Sequence, residues 1–92
     1  MSVYLINNDS PTSRGQYTEV FSIDTEAAVF VTITCTNIKS ISSIVATPVN
    51  PAAAAAAAGV YSDITEGNSV SSVKFNVGAN NAQFRVSITG AI

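Results

Sequence analysis

The sequence predicts an all-β protein: a small antiparallel β-sandwich, Ig-like or jelly-roll in type, with about seven strands and one short Ala-rich helix. Three observations carry this. Val occurs 11 times and Ile 9 times, Leu only once, at Leu5, and Thr adds 9 more. β-branched side chains lose rotamer freedom in a helix and pack well on a pleated sheet, so a helical protein would use Leu where this chain uses Val and Ile. Several short segments alternate apolar and polar residues, the period of a half-buried strand. Turn formers separate them at intervals of about 8–12 residues, the spacing of a sandwich or barrel.

Taken in order, Ser2 to Asn7 reads as a first strand and Asn8 to Gly15 as a polar loop rich in turn formers. Gln16 to Asp24, with Tyr17, Val20, Phe21 and Ile23, reads as a strand of imperfect alternation, closed by a Thr25-Glu26 turn. Ala28 to Thr36 is the clearest central strand: Val29, Val31, Ile33 and Cys35 fall on one face, Phe30, Thr32, Thr34 and Thr36 on the other. After a break at Asn37, Ile38 to Thr47 resumes as a strand with Ile41 and Val45. It ends at Pro48, which cannot donate to a ladder.

Asn50 to Gly59 carries helix signals at both ends. Asn suits the N-cap, Pro the first helical position, the alanines the interior and Gly the C′ position. A helix this short is marginal alone and needs a surface to pack on. Val60 to Ile64 reads as a short strand and Thr65 to Asn68 as a turn. Ser69 to Val77 points Val73, Phe75 and Val77 one way; Gln83 to Thr89 points Phe84, Val86 and Ile88 one way. With Gly78 to Ala82 as a five-residue loop, the two read as a closing antiparallel hairpin. No internal repeat or second boundary is visible, so residues 1–92 form a single β-sandwich domain.

Composition excludes more than it selects. Charged residues make up 11% of the chain, against ~25% in an average soluble domain. The net charge is −2, with four cations in all: Arg14, Lys39, Lys74 and Arg85. A basic patch for nucleic acid is not expected from so few. Without His, a Ser-His triad and any zinc site that needs imidazole are ruled out. Asp24 and Glu26 are close in sequence, but a glycosidase needs two carboxylates across a cleft, and a small sandwich has little room for one. Asp63 and Glu66 could give a calcium ion two of its six to eight oxygens. Neither pair makes an enzyme or a metal protein, and no cofactor is expected.

Cys35 lies on an apolar face and reads as a buried structural thiol. Tyr4, Tyr17 and Tyr61 could line a sugar platform, but no two of them are close in sequence, so core or interface roles fit better. Asn8-Asp9-Ser10 matches a glycosylation sequon, uninformative before Pro11 and without a signal peptide. Met1 leads directly into Ser2-Val3-Tyr4-Leu5-Ile6, with no positive n-region or apolar h-region, so the protein is expected to be made and assembled in the cytoplasm. The alanine tract is too short to span a bilayer, and no membrane partner is expected.

With a mean hydropathy of +0.33 and few charges, the surface is expected to carry apolar patches of the kind that mark contacts. Two segments are candidates. In Val3, Tyr4, Leu5 and Ile6 both faces of the first strand are apolar, and a lone small sandwich covers only one. In Pro51, Ala54 and Ala57 the alanine tract lets a neighbour approach closely.

The closing segment from Gly67 to Ile92, GNSVSSVKFNVGANNAQFRVSITGAI, resembles that of small tailed-phage virion proteins. The profile of the whole chain is similar to theirs: about 90 residues, Ser/Thr/Ala/Asn-rich strands and few charges. Head decoration (cement) proteins, connectors and fibre modules share this character. The resemblance implies a non-enzymatic virion subunit, of capsid decoration type, that self-associates as a homotrimer and bridges neighbouring shell subunits. Its partner would be the major capsid protein or another virion protein. The alternative is a carbohydrate- or ligand-binding β-sandwich module of tail-fibre or adhesin type.

Overall fold

A computed structural model describes the backbone of residues 2–11 and 16–92, and the side chains of residues 2–6 and 16–92. The strands are β1 (Ser2–Pro11), β2 (Gln16–Asp24), β3 (Phe30–Thr34), β4 (Ser40–Pro48), β5 (Tyr61–Thr65), β6 (Ser72–Asn76) and β7 (Gln83–Ala91). One helix, α1 (Pro51–Ala56), joins β4 to β5 through a 3-10 turn at Ala57–Gly59. The strands form a four-stranded sheet, β1-β2-β7-β4, and a three-stranded sheet, β3-β6-β5. Every pairing is antiparallel. The expected all-β sandwich with one short helix is therefore present.

The strand order is not that of an immunoglobulin constant domain, in which the fifth strand pairs with the second and the seventh with the sixth. Here β7 takes the place beside β2, and β5 the place beside β6. The β6–β7 segment crosses from one sheet to the other. It is flanked in both sheets by β2–β3 on one side and β4–β5 on the other. This nesting is of jelly-roll kind.

That crossing corrects the expected closing hairpin. β6 and β7 are not neighbours in one sheet; they face each other across the sandwich. The rings of Phe75 and Phe84 meet edge to face at 5.4 Å between centroids, and both are buried. Alternation shows which face of a strand is apolar. It does not show whether the next strand lies beside that face or opposite it.

The core is the meeting of the two inner faces. Phe21, Ile23, Phe84, Val86 and Ile88 come from the larger sheet; Val31, Ile33, Val73, Phe75 and Val77 come from the smaller sheet or its edge. Each such side chain contributes about 1.5–3 kcal/mol when fully buried. Gly90 sits where β7 passes closest to β4: a Cβ there would lie 2.1 Å from the carbonyl oxygen of Ser40.

Several boundaries differ from the sequence reading. β1 continues beyond Asn7 to Pro11, with register shifts between Leu5 and Asn7 and between Asn7 and Ser10. The remainder of the expected loop, residues 12–15, lies outside the described residues. Val29 precedes β3 and is 47% exposed rather than on the core face. In β4 an irregularity between Ile41 and Ser43 shifts the alternation, so Ile41, Ile44 and Ala46 all pack inward and Val45 is left outside, 59% exposed. α1 begins as expected, with Asn50 capping and Pro51 at the first position. It does not end on a left-handed Gly59: the chain tightens into the 3-10 turn and leaves through an extended Val60.

Candidate functional site

β2 places one carboxylate among its inward-facing residues. Glu19 has the same parity as Phe21 and Ile23 and is completely buried. Its partners are backbone amides of the segment that carries the chain from β3 to β4. Thr36 N–H donates to both carboxylate oxygens, at 2.8 and 3.1 Å; Asn37 N–H donates at 2.9 Å and Ile38 N–H at 3.2 Å. Successive amides converging on one anion form a nest, and bonds to an ionised acceptor are stronger than neutral ones. Glu19 is not among the candidate residues that the sequence offers. The signal that could have found it is its parity within β2.

Cys35 lies beside this nest and is buried, as expected. Burial pushes its thiol up to about 11, and the Glu19 carboxylate adds to the shift. A thiol protonated at neutral pH is a poor nucleophile and a poor metal ligand. Ser71 ties the same crossing from the other side. Its N–H donates to the carbonyl of Ile38 at 3.0 Å, its hydroxyl donates to the carbonyl of Lys39 at 2.5 Å, and its own carbonyl accepts from Cys35 N–H at 2.8 Å. Glu19 and Ser71 thus hold the β3–β4 crossing between the sheets.

A second cluster holds the opposite crossings. The Asn50 side chain accepts from Ala53 N–H at 2.9 Å and from Gln83 N–H at 3.2 Å, and donates to the Asn81 carbonyl at 2.8 Å. The buried Thr25 hydroxyl donates to the Ala79 carbonyl at 2.8 Å and accepts from Ala82 N–H at 3.0 Å. The loop from Gly78 to Ala82 is thereby fastened to both α1 and the β2–β3 turn. Among the described residues, every buried side-chain polar atom has a partner.

The acidic candidates are occupied locally. Asp24 accepts from Glu26 N–H at 2.9 Å and from the Gln83 side-chain amide at 3.1 Å. Glu26 stands in the expected turn, with a left-handed backbone; its carboxyl accepts from the Ser2 hydroxyl, which lowers its pKa from the usual range. Asp63 accepts from the Asn76 amide at 3.1 Å on one sheet, while Glu66 accepts from Ile41 N–H at 2.5 Å on the other. The two do not converge on one point. Among the described residues, no three acids and thiols come together as a metal site would require, the described surface has no pocket, and no helix is long and apolar enough to cross a membrane.

The tyrosines also lie apart. Tyr4 stands on the outer face of the larger sheet, Tyr61 on that of the smaller, and Tyr17 packs against the core. A different aromatic pair is brought into line: Phe30 and Tyr61 flank Asn76 in one row across β3-β6-β5. Lys74 covers the Phe30 ring, its ammonium 4.7 Å from the centroid.

Of the candidate contact residues, Val3 and Leu5 pair with Ile23 and Phe21 and therefore share the inner face of the larger sheet. Val3 packs against the core, whereas Leu5 remains 43% exposed. The larger sheet has one strand more than the smaller, and β1, at its end, comes close to β3. Tyr4, on the outer face, is 68% exposed, and Ile6 is exposed where the register shifts. In the alanine tract Ala53 is fully buried, and Ala52 and Ala56 pack against the core. Pro51, Ala54 and Ala57 face outward. The tract thus serves the core as well as the surface. Comparison with known proteins finds no matching family model, no matching curated protein and no matching solved structure.

Proposed function

We propose that this chain is a non-enzymatic virion structural protein, a capsid decoration or cement protein that stabilises a shell by bridging neighbouring capsid subunits. It would be made in the host cytoplasm and reside in the virion. Its partners would be other copies of itself and the major capsid protein or another virion protein, with no nucleic acid, membrane, metal or cofactor involved. The observation that supports this reading is where the exposed apolar side chains stand. Tyr4, Leu5, Ile6, Val45 and Val49 lie on or beside the outer strands of a scaffold in which, among the described residues, every buried side-chain polar atom has a partner. Such a surface is suited to contact rather than to chemistry. Several weak contacts per bound particle then add through effective concentration. Incubation with undecorated shells, followed by sedimentation, tests the reading: the protein should pellet with shells at a saturating copy number and raise their disruption temperature. Failure to pellet with any shell preparation counts against it.

The second reading, a carbohydrate-binding module, draws support from the Phe30–Asn76–Tyr61 row, where an exposed ring stands beside amide and carboxylate groups. A glycan that binds the folded state should raise the thermal midpoint as its concentration rises. A panel that leaves the midpoint unmoved removes this reading.

A further inference from the structure

We infer that two copies of this protein pair edge to edge through β5, antiparallel and about a two-fold axis at Ser62, so that their three-stranded sheets join into one sheet of six strands. The observation behind this is how little of β5 the fold covers. β5 bonds to β6 along one edge; along the other, Tyr61–Thr65 makes no backbone bond to any described residue. Its register sets Ser62 and Ile64 beside Phe75 and Val73, on the inner face. Phe75 and Val73 are buried, yet Ile64 is 46% exposed. Tyr61, on the outer face, is 61% exposed. From Ser40 to Val70 the one buried residue is Ala53.

Each of the other edges is interrupted or approached. β1 has two register shifts and ends at Pro11, and it comes close to β3. β4 has an irregularity at Ile41/Ser43, Pro48 at its end, and Glu66 on Ile41 N–H. β5 pairs with β6 without a shift and contains no proline. A regular edge of this kind is a template for a strand of another chain.

The one charge in β5, Asp63, selects the register. Opposite residues of an antiparallel pair share a face, so a two-fold axis between identical strands passes through a residue. An axis at Asp63 would set two carboxylates directly opposite, which is destabilising. An axis at Ile64 would set Ser62 opposite Glu66, which is held on Ile41 N–H. An axis at Tyr61 would set Ile64 opposite Ala58, which lies in the 3-10 turn and cannot continue a ladder. An axis at Ser62 avoids all three. It sets Ile64 opposite Val60, which is extended and packs against the core, so each copy covers the other's exposed Ile64. On the outer face it sets Tyr61 opposite Asp63, an aromatic ring edge beside a carboxylate rather than a second charge. Such an interface is isologous and closes at two copies. The paired stretch, Val60 to Ile64, is short and buries less than the ~1,200 Å² of a standard interface, so the dimer is a weak one. The inference holds whether or not the protein belongs to a virion.

Light scattering up to ~1 mM, which populates even a weak complex, tests it together with hydrogen exchange at low and high concentration. The expected result is a dimer whose formation slows exchange in β5 and leaves β1, β3 and β4 unchanged. Tyr61→Asp sets two carboxylates opposite and should weaken dimerisation at least tenfold. Tyr61→Lys sets an ammonium against Asp63 and should strengthen it, by an amount that falls as salt is added. Both alter an exposed side chain and should keep the far-UV circular dichroism of the parent. Leu5→Glu, on β1, should leave dimerisation as it was. A protein still monomeric at ~1 mM, a trimer, protection of β1 or β4 in place of β5, or an equal response to Tyr61→Asp and Tyr61→Lys overturns the inference.

Discussion

Both carboxylate oxygens of Glu19 accept the backbone N–H of Thr36, at 2.8 and 3.1 Å, in a site that water does not reach. One side chain of the larger sheet thereby fixes the segment by which the chain leaves the smaller one. Glu19→Gln keeps the volume and one acceptor oxygen, but it removes the charge to which all three amides donate and sets an N–H₂ donor against Thr36 N–H. Hydrogen bonds to charged groups contribute about 1.5–3 kcal/mol each, neutral ones about 0.5–1.5 kcal/mol. We predict a loss of ~3 kcal/mol, out of the ~5–15 kcal/mol of a typical domain. Urea unfolding of the two proteins measures it, and a difference under ~1 kcal/mol would mean that the nest contributes little.

Cys35 gives a pH dependence with a definite sign. Its folded-state pKa is raised from 9.0 to about 11, so the folded protein holds the proton more tightly than the unfolded chain does. The associated stability is complete below pH 9 and is lost as pH rises through 11. Two pKa units correspond to roughly 3 kcal/mol. The stability difference between the parent and Cys35→Ala should therefore change by about 2 kcal/mol between pH 8.5 and pH 11, where the folded thiol is half titrated. The same protonated, buried thiol should resist a disulfide-exchange reagent at pH 7.5 until the protein is unfolded.

Asn50 joins three elements, so its loss should exceed that of an ordinary helix cap. A cap replaced by Ala costs ~1 kcal/mol. Here Gln83 N–H and the Asn81 carbonyl lose their partner as well. Asn50→Ala is expected to cost ~2–3 kcal/mol on that basis, and Asn50→Asp, which keeps the acceptor for Ala53 and Gln83, less than half as much. Equal losses for the two would show that the donor bond to Asn81 dominates.

Phe84→Ala should cost ~3–5 kcal/mol, since the ring is buried and meets Phe75 edge to face. Gly90→Ala should be as damaging with only one added carbon. The obstacle is the backbone oxygen of Ser40 rather than a flexible side chain, so β4 must move away. Thermal unfolding of both variants provides the check; a Gly90→Ala protein as stable as the parent would mean that β4 yields easily.

Much of this was legible in the chain. The parity of Phe84, Val86 and Ile88 marks an inward face, and all three are buried. Asn50-Pro51 followed by alanines announces a helix start, and the structure places the cap there. What was hidden depends on neighbours that leave no mark in the local sequence. The amides around Glu19 belong to Thr36, Asn37 and Ile38, and any residue but proline could supply them. Val29 continues the alternation of β3 yet precedes the strand and stays exposed. The position of β7 was hidden for the same reason: its pattern names a face and not a partner. Of the contact candidates, Leu5 shares the inner-face parity of Val3 yet stays exposed, a difference that no residue in β1 encodes.

The place of β7 also sets when this protein can fold. β7 follows every other strand in the chain, yet it lies between β2 and β4 and is the partner of both. While the polypeptide is leaving the ribosome, β2 has only the outer strand β1 to pair with and β4 has none. A two-stranded ribbon is marginal in water. The larger sheet therefore cannot close until translation has passed residue 91. Folding then requires contacts between residues far apart in the chain, as in the Phe21–Val86 pair, 65 positions apart, and proteins dominated by such contacts fold in milliseconds to seconds. During that interval the nascent chain displays Val- and Ile-rich segments with no partner, and its yield in the cell depends on how well those segments are shielded until the last strand arrives.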